Sequence, residues 1–201
     1  MITLKSSTVG FKEWLLVCDA LGAGRQSLIL RKGGIAEGRG GFQWQRHSFL
    51  LFPTHFHQQQ DQVTWTPTPE AIEDWARPQT IVIRFTADVE WTSELADWST
   101  ATALAPHHVW TENVVRDRFG YGAETGLSVA VVRVFRLAQP IELAMDKRFG
   151  GCRSWVDVPD TSTTDRTPVL DEATHADRLR ELATLLPRHT APSDHQGSQP
   201  D

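Results

Sequence analysis

Two neighbouring cations followed by glycines are the first feature of the sequence that could bind a ligand. Arg31 and Lys32 end an apolar run, and five of the nine residues in the segment 33–41 that follows are glycines. Backbone N–H groups exposed by such a segment, next to Arg and Lys side chains, form a natural seat for phosphate or carboxylate. A second glycine pair stands shortly before Arg153. The predicted anion-binding residues are therefore Arg31, Lys32, Gly33, Gly34, Arg39 and Arg153.

This predicted anion site has an alternative interpretation without a ligand. A tight turn with solvated cations would have the same sequence. Neither GxxxxGK[ST] nor a GxGxxG that follows a strand is present, so the known nucleotide-binding signatures do not apply. The prediction depends on the chemistry of the residues alone.

Glu37 and His57 are the candidates for acid–base catalysis. Imidazole titrates near neutral pH, and a carboxylate within hydrogen-bond reach, or one water away, would complete a pair able to hydrolyse a phosphoester. The alternative to this acid–base pair is a metal site. If the segment is extended, His55 and His57 point to the same side and could bind one metal, with Glu37 or His47 as the third ligand. No HExxH signature occurs, so the sequence requires neither a metal ligand nor a cofactor.

Other reactive side chains give weaker indications. Cys18 and Cys152 are far apart and belong to no CxxC pair, so both are expected to be small buried residues. Arg116 and Arg118 should point to different sides of one helix, which argues against a shared anion clamp. One or two of the eight tryptophans are expected to stack on a base or sugar. The candidates for this stacking are Trp44, Trp65 and Trp155.

The elements that would position these residues begin with two apolar runs, residues 14–18 and 27–31. The glycines between them predict a β-hairpin, with a short helix over the first run as the alternative because its apolar residues also fit a helical face. A buried strand, Phe49–Phe52, is expected to end at Pro53. Ser93 and Thr111 are predicted to cap two helices. Further helices are predicted over Pro69–Ala76 and Asp171–Leu186, and strands over Ile81–Trp91 and Gly126–Leu137.

Strands and helices neither alternate strictly nor segregate along the chain. This favours an α+β domain with a mixed or mainly antiparallel sheet, flanking helices and a C-terminal helix. Residues 1–186 are predicted to form this single domain. The polar residues 187–201 are predicted to be a disordered tail, since they offer too little apolar surface to offset the entropy of ordering.

The composition limits the class of protein. With 201 residues, 40% of them hydrophobic and 22% charged, the chain resembles one ordinary globular domain. No apolar run approaches the roughly 20 residues that span a bilayer, and the first residues lack an apolar signal segment, so a cytoplasmic protein without membrane contact is expected.

The net charge of −5 excludes a generally basic protein that coats nucleic acid, yet the charge is unevenly distributed. Residues 1–60 hold seven Lys or Arg against three Asp or Glu, whereas residues 61–100 hold two against eight. The basic first part could focus an anionic ligand on one face. Pairing of the charges within the protein is the alternative.

Several strings of residues resemble a bacterial family. They are residues 20–22, 24–26, 30–35 and 49–54, with Phe56-His57-Gln58 and, later, Trp110-Thr111, Arg118-Phe119 and 150–155. Over about residues 11–158 the chain resembles the family known as domain of unknown function 1802. The resemblance implies no established activity, and the family's association with restriction-endonuclease-type domains implies a partner from a restriction-type system. The family is expected to have an aromatic at position 55, which favours His57 over a His55–His57 pair.

Three functions are compatible with these patterns. The leading hypothesis is a domain that binds a nucleotide or nucleic acid through the anion-binding residues, accessory to restriction–modification or DNA defence. The second is a phosphoester hydrolase, metal-independent or metal-assisted, that uses Glu37 and His57. The third is a partner-binding module without catalysis. A nuclease of the PD-(D/E)xK class is not expected, because the acids at 88 and 90 lack the lysine that this motif places after them.

Overall fold

Two long antiparallel strands form the centre of the sheet in this computed structural model, which describes residues 2–3, 9–32, 42–55, 58–122, 125–151, 153–159 and 165–188. The strands are β5 (Thr80–Leu95) and β6 (Leu127–Ala144). β5 is rich in Val, Ile and Thr and β6 is rich in Val, and these β-branched side chains suit a pleated surface. The first six residues of β6, 127–132, are all buried, so burial does not alternate in this part of the strand.

Six shorter strands complete a mixed sheet. They are β1 (Ile2–Thr3), β2 (Val9–Trp14), β3 (Leu28–Arg31), β4 (Ser48–Thr54), β7 (Trp155–Asp157) and β8 (Asp165–Pro168). The order is β1-β8-β6-β5-β4-β2-β7, and β3 also pairs with β6. The β2–β4 pair is parallel and the other pairs are antiparallel. The predicted α+β class with a mixed, mainly antiparallel sheet is therefore confirmed.

The first helix, α1 (Leu15–Gly22), follows β2 without a loop and is buried along its whole length. It contacts β2, β4, β5 and β6. A helix that is apolar on all sides is stable only when it is enclosed, and the sheet provides this enclosure. Register shifts after Ile83 and after Val89 bend β5, as β-bulges do.

The remaining helices of the described chain lie between and after the strands. They are α2 (Gln59–Gln62), α3 (Pro69–Trp75), α4 (Trp98–Ala103), α5 (Glu112–Gly120) and α6 (Glu172–Leu185), with 3₁₀ turns at Ala105–His107 and Lys147–Phe149. Thr68, Asp97 and Asp171 cap α3, α4 and α6 by accepting a hydrogen bond from the backbone three residues on. The predicted helices over 69–76 and 171–186 are confirmed within one residue at each end.

Three local predictions were wrong. The hairpin over 14–31 does not form, because β3 pairs with β6 instead of β2, and residues 15–22 form the short helix that was the alternative. Ser93 caps no helix, because it lies inside β5 opposite Val129. The strand β4 does not end at Pro53 but continues through it to Thr54. Leu50 is the last residue of β4 that pairs with β5, so the missing N–H of Pro53 breaks no hydrogen bond to β5.

Apolar residues pack on both faces of the sheet. On β4, Phe49 and Leu51 join the larger core around α1, whereas Leu50 and Phe52 join a second, smaller core on the other face. This division follows from the alternation of side chains along a strand. Among the helices of the described residues, none is long and apolar enough to cross a membrane.

Candidate anion-binding site

A buried glutamate lies at the end of β2, where the strand meets α1. Glu13 has 1% of its surface exposed, and its Oε1 accepts a hydrogen bond of 2.8 Å from the backbone N–H of Trp14. Its backbone carbonyl accepts a further hydrogen bond of 3.0 Å from Thr54 Oγ1 on the neighbouring strand. The carboxylate is thus fixed by the turn from strand to helix.

Two arginines approach this carboxylate from different elements. Arg31 at the end of β3 places Nη1 3.8 Å from Glu13 Oε2, and Arg118 on α5 places Nη2 4.0 Å from Oε1. Both distances allow charge compensation but exceed a hydrogen bond. The three side chains form what we call the Arg–Glu–Arg cluster: Glu13, Arg31 and Arg118.

The guanidinium of Arg31 links β3 to β2 and β7. Its Nη2 donates to the carbonyl of Lys12 and to Ser154 Oγ, both at 3.3 Å. Its Cζ lies 5.0 Å from the centre of the Phe11 ring. Because 20% of the side chain is exposed, part of the guanidinium faces solvent.

The guanidinium of Arg118 contacts two indole rings. Its Cζ lies 4.9 Å from the Trp14 ring centre and 5.0 Å from that of Trp110, and Nη1 donates to the carbonyl of Leu30 at 3.1 Å. Burial lowers the pKa of Arg118 to about 10, with Glu13 acting in the opposite direction and Arg31 lowering it further. At neutral pH the residue is therefore still a cation.

Further cations lie on the same segments. Lys12 Nζ donates to the carbonyls of Gly150 and Gly151, both at 3.1 Å. Arg153 is exposed and immediately precedes Ser154, which binds Arg31. Lys32 follows Arg31 and is half-buried. The pairing of β2 with β7 therefore brings the two predicted glycine–cation strings to one part of the molecule.

An aromatic cluster lies next to these cations. Phe11 contacts four rings at centre distances of 5.0 to 5.9 Å, and these belong to Phe42, Trp44, Phe49 and Trp155. Trp44 and Trp155, two of the predicted stacking residues, are half-buried here. Trp65, the third, donates its Nε1–H to Asp19 at 2.7 Å, which is a structural contact.

A second carboxylate lies two strands away from Arg31. In the register of the strands, Arg31 pairs with Ser128, and Ser128 pairs with Glu94. Ser128 Oγ accepts a hydrogen bond from Trp44 Nε1 at 3.0 Å and donates to Glu94 Oε1 at 2.6 Å. Glu13 is thus the carboxylate that lies within 4.0 Å of Arg31 and Arg118.

The predicted acid–base pair lies outside the described residues, as do Gly33, Gly34 and Arg39. Glu37 belongs to the gap 33–41 and His57 to the gap 56–57. Of the described residues near this second gap, Thr54 Oγ1 donates to the Glu13 carbonyl at 3.0 Å, and Gln59 Oε1 accepts from the N–H of Leu16 at 2.9 Å. No contact on the described residues favours the hydrolase hypothesis.

The metal alternative gains no support from the described part of the chain. His55 stacks on Trp75, with 5.8 Å between ring centres. No three His, Cys, Asp or Glu side chains in the described ranges are grouped so that they could hold a metal ion. Burial raises the pKa of the Cys18 thiol, with Glu13 and Asp19 acting in the same direction, so this cysteine is not activated as a nucleophile. Its predicted burial is confirmed.

Sequence reasoning missed Glu13 and underestimated Arg118. Glu13 immediately precedes the apolar run 14–18, and an acid at the start of such a run is the signal that could have identified it. The prediction that Arg116 and Arg118 do not share a ligand agrees with the structure, since Arg116 lies over Trp98, with its Cζ 4.6 Å from the ring centre. The partners of Arg118 depend on long-range packing that spacing does not reveal.

Comparison with known proteins gives a family and a set of distant structures. The family model described as "Domain of unknown function (DUF1802)" matches residues 10–181. The chain also resembles the crystal structure of ASCH from Zymomonas mobilis, with 11% identity, a TM-score of 0.45, and coverage of 90% of this chain and 96% of that one. A mutant of the same protein gives 12% identity, a TM-score of 0.46, and coverage of 90% and 99%. These values are too low to transfer a ligand or activity. No curated protein matches the chain.

Proposed function

The chain belongs to DUF1802, a family described only as a domain of unknown function, so we infer its role from its own residues. We propose that it binds an anionic ligand, a nucleotide or nucleic acid, at the ends of β2 and β3. The observation that carries the proposal is the Arg–Glu–Arg cluster, in which two arginines approach one buried carboxylate, with Lys12, Lys32 and Arg153 on the adjoining segments. An excess of one sign beside low-dielectric walls attracts the opposite charge.

We assign the cations to two groups by role. Arg31 and Arg118 are held by Glu13 and by backbone carbonyls, so the fold positions their charges. Lys32 is half-buried at the end of β3 and Arg153 is exposed next to Ser154, and these two would contact a phosphate. Phosphate contacts of this kind position a ligand without reading its sequence.

The aromatic residues make a nucleotide a better ligand than a simple anion. Trp14 and Trp155 are half-buried next to the arginines, and Arg118 already lies against the Trp14 ring. Each nucleobase has a π face, and base–aromatic stacking contributes about 1–3 kcal/mol per base. Simple phosphate would use only the cations.

The test compares two double variants that lose the same charge. Lys32→Gln/Arg153→Gln removes the two cations assigned to phosphate contact, and Arg116→Gln/Arg180→Gln removes two cations from exposed ion pairs on α5 and α6. Binding of fluorescent single- and double-stranded DNA and RNA and of nucleoside phosphates is measured at low and moderate salt. We expect the first variant to bind at least tenfold more weakly and to have a shallower salt dependence, since fewer counterions are released.

The control variant should bind like the parent protein. Equal weakening by both double variants would reduce the effect to net charge and reject a localised site. No binding of any of these ligands by the parent would reject the proposal and favour a partner-binding module.

The proposed cellular context comes from the family alone. Its association with restriction-endonuclease-type domains suggests an accessory role in restriction–modification, in which a cytoplasmic partner protein would cut and this domain would bind. Binding of double-stranded DNA in the same experiment is the result that such a role requires.

A further inference from the structure

Among the described residues, one oxygen of the buried Glu13 carboxylate has no hydrogen-bond partner. Oε1 accepts from the N–H of Trp14, but Oε2 accepts nothing from this part of the chain, although it is buried. Leaving a carboxylate oxygen unsatisfied in the interior is costly, and native proteins do so rarely. Such an atom therefore calls for a partner that the described residues do not supply.

The neighbouring arginines do not satisfy this oxygen. Arg31 Nη1 lies 3.8 Å from Oε2, and the guanidinium directs its Nη2 hydrogen bonds to Lys12 and Ser154. Arg118 lies 4.0 Å from the other oxygen and donates to Leu30. The carboxylate thus has two cations within 4.0 Å while its Oε2 remains an acceptor for a third group.

A second buried group without a hydrogen bond belongs to a ring that contacts the guanidinium of Arg118. Trp110 is 3% exposed, its ring contacts Arg118, and its Nε1–H has no acceptor. An unpaired acceptor and an unpaired donor therefore lie on either side of Arg118. A ligand that carries both a donor and an acceptor would complement them, whereas inorganic phosphate would not.

We propose that Glu13 is the specificity-determining residue of the anion site and that its Oε2 accepts the ring N–H of a keto nucleobase: guanine, uracil or thymine. This inference rests on the proposed function. Each of these bases has a protonated ring nitrogen beside a carbonyl oxygen, so an N–H faces the carboxylate and the carbonyl faces an arginine donor. Adenine and cytosine present an unprotonated ring nitrogen at the same place, which the carboxylate repels.

Arg31 and Arg118 are the partly exposed members of the cluster. They have 20% and 17% of their side chains exposed, whereas Glu13 has none. A base would reach Oε2 only if Arg31 turned away from Lys12 and Ser154, and its two hydrogen bonds to them are 3.3 Å long. Binding of a base therefore requires this guanidinium to exchange those hydrogen bonds for one to the base carbonyl.

The experiment measures binding of short RNAs to the full chain by isothermal titration calorimetry. The probes are pentanucleotides of uridine, adenosine, cytidine and 3-methyluridine, and an abasic ribose-phosphate pentamer. We expect uridine to bind about tenfold more tightly than adenosine, cytidine or 3-methyluridine, because only uridine offers a ring N–H between two carbonyls. The abasic pentamer reports binding by phosphate alone.

The variants identify the residue that reads the base. Glu13→Gln should reduce the preference for uridine over 3-methyluridine to less than threefold, while Glu94→Gln, which changes the carboxylate two strands away from Arg31, should leave the preference intact. If Glu13→Gln does not fold, the comparison of uridine with 3-methyluridine on the unchanged protein still decides the question.

The possible failures are distinguishable. If neither the abasic pentamer nor any RNA binds, the proposed function itself is rejected. If the RNAs bind but methylation at N3 has no effect, the anion site stands and base reading by Glu13 is overturned.

Discussion

Arg118 and Glu13 are charge partners without a hydrogen bond: Nη2 and Oε1 lie 4.0 Å apart, while Arg118 donates to the carbonyl of Leu30 at 3.1 Å. The pair therefore joins α5, β2 and β3 through charge and through backbone. Buried ion pairs of this kind are costly to break from one side, because the remaining charge stays buried without compensation.

The first prediction concerns this pair. Arg118→Met should lower the free energy of unfolding by about 3 kcal/mol, because Glu13 would keep only Arg31 as a charge partner. The double variant Glu13→Gln/Arg118→Met should lose less than the sum of the two single variants. Urea denaturation measures all three, and Arg116→Met on the exposed side of α5 serves as the control. Strictly additive losses would show that the pair is not coupled.

The second prediction concerns pH. His108 is 3% exposed, and neither ring nitrogen has a hydrogen-bond partner. Burial lowers its pKa to about 4, with Arg118, His107 and Arg25 acting in the same direction. In the unfolded chain His108 has a pKa near 6.5, so below that pH it binds a proton that it does not bind in the folded protein. The contribution of His108 to the free energy of unfolding is therefore fully present above about pH 6.5 and is lost progressively between pH 6.5 and pH 4.

Between pH 7 and pH 5 this histidine alone should remove about 2 kcal/mol of stability. Urea denaturation at the two pH values, for the parent and for His108→Leu, isolates the effect from other groups such as His107. A pH dependence that is the same in both proteins would contradict the assignment.

The third prediction concerns Asp19 on α1, which holds α3 in place. Its carboxylate accepts hydrogen bonds from Trp65 Nε1 at 2.7 Å, Thr68 N at 2.9 Å and Thr68 Oγ1 at 2.6 Å. Asp19→Ala leaves these donors unpaired and should cost about 3 kcal/mol of unfolding free energy in thermal or urea denaturation. Thr68→Val, which removes one of the three donors and the cap of α3, should cost less. A loss below about 1 kcal/mol for Asp19→Ala would contradict this structural role.

The fourth prediction compares two glycines in helices. A Cβ at Gly22 would lie 2.1 Å from the Phe85 ring, whereas a Cβ at Gly120 would meet nothing within 4 Å. Gly22→Ala should therefore destabilise the protein by about 1–3 kcal/mol through overpacking. Gly120→Ala should be neutral or stabilising by up to about 1 kcal/mol. Differential scanning calorimetry of the two variants gives the comparison, and equal melting temperatures would contradict the close packing of α1 on β5.

Local signals in the sequence predicted several elements correctly. Thr68 and Pro69 mark the start of α3 because a capping hydroxyl and a proline in the first turn act within one helical turn. Asp171 does the same for α6. The strand β6 was recognised from its β-branched residues, although the structure extends it to Ala144.

Elements and contacts that depend on distant residues could not be predicted. Residues 15–22 form a helix because four strands enclose them, and the glycine spacing that indicated a hairpin says nothing about enclosure. Arg31 and Arg153 were predicted as anion-binding residues from separate strings. Their proximity follows from the pairing of β2 with β7 and from the hydrogen bond of Arg31 to Ser154. Whether they bind an anion remains a prediction.

The pairing of β2 with β7 also has a consequence for the order of folding. Lys12 contacts the carbonyl of Gly150, 138 residues away, and Arg31 contacts Ser154, 123 residues away. Contacts of such long sequence separation form late, because closing a long loop costs entropy before any contact compensates it. During synthesis the central pair β5–β6 can form before β7 has left the ribosome, whereas Arg31 gains its contact with Ser154 only afterwards. A nascent chain that ends before residue 150 would therefore contain Glu13, Arg31 and Arg118 but would lack the partners of Lys12 and Arg31 on the segment 150–154.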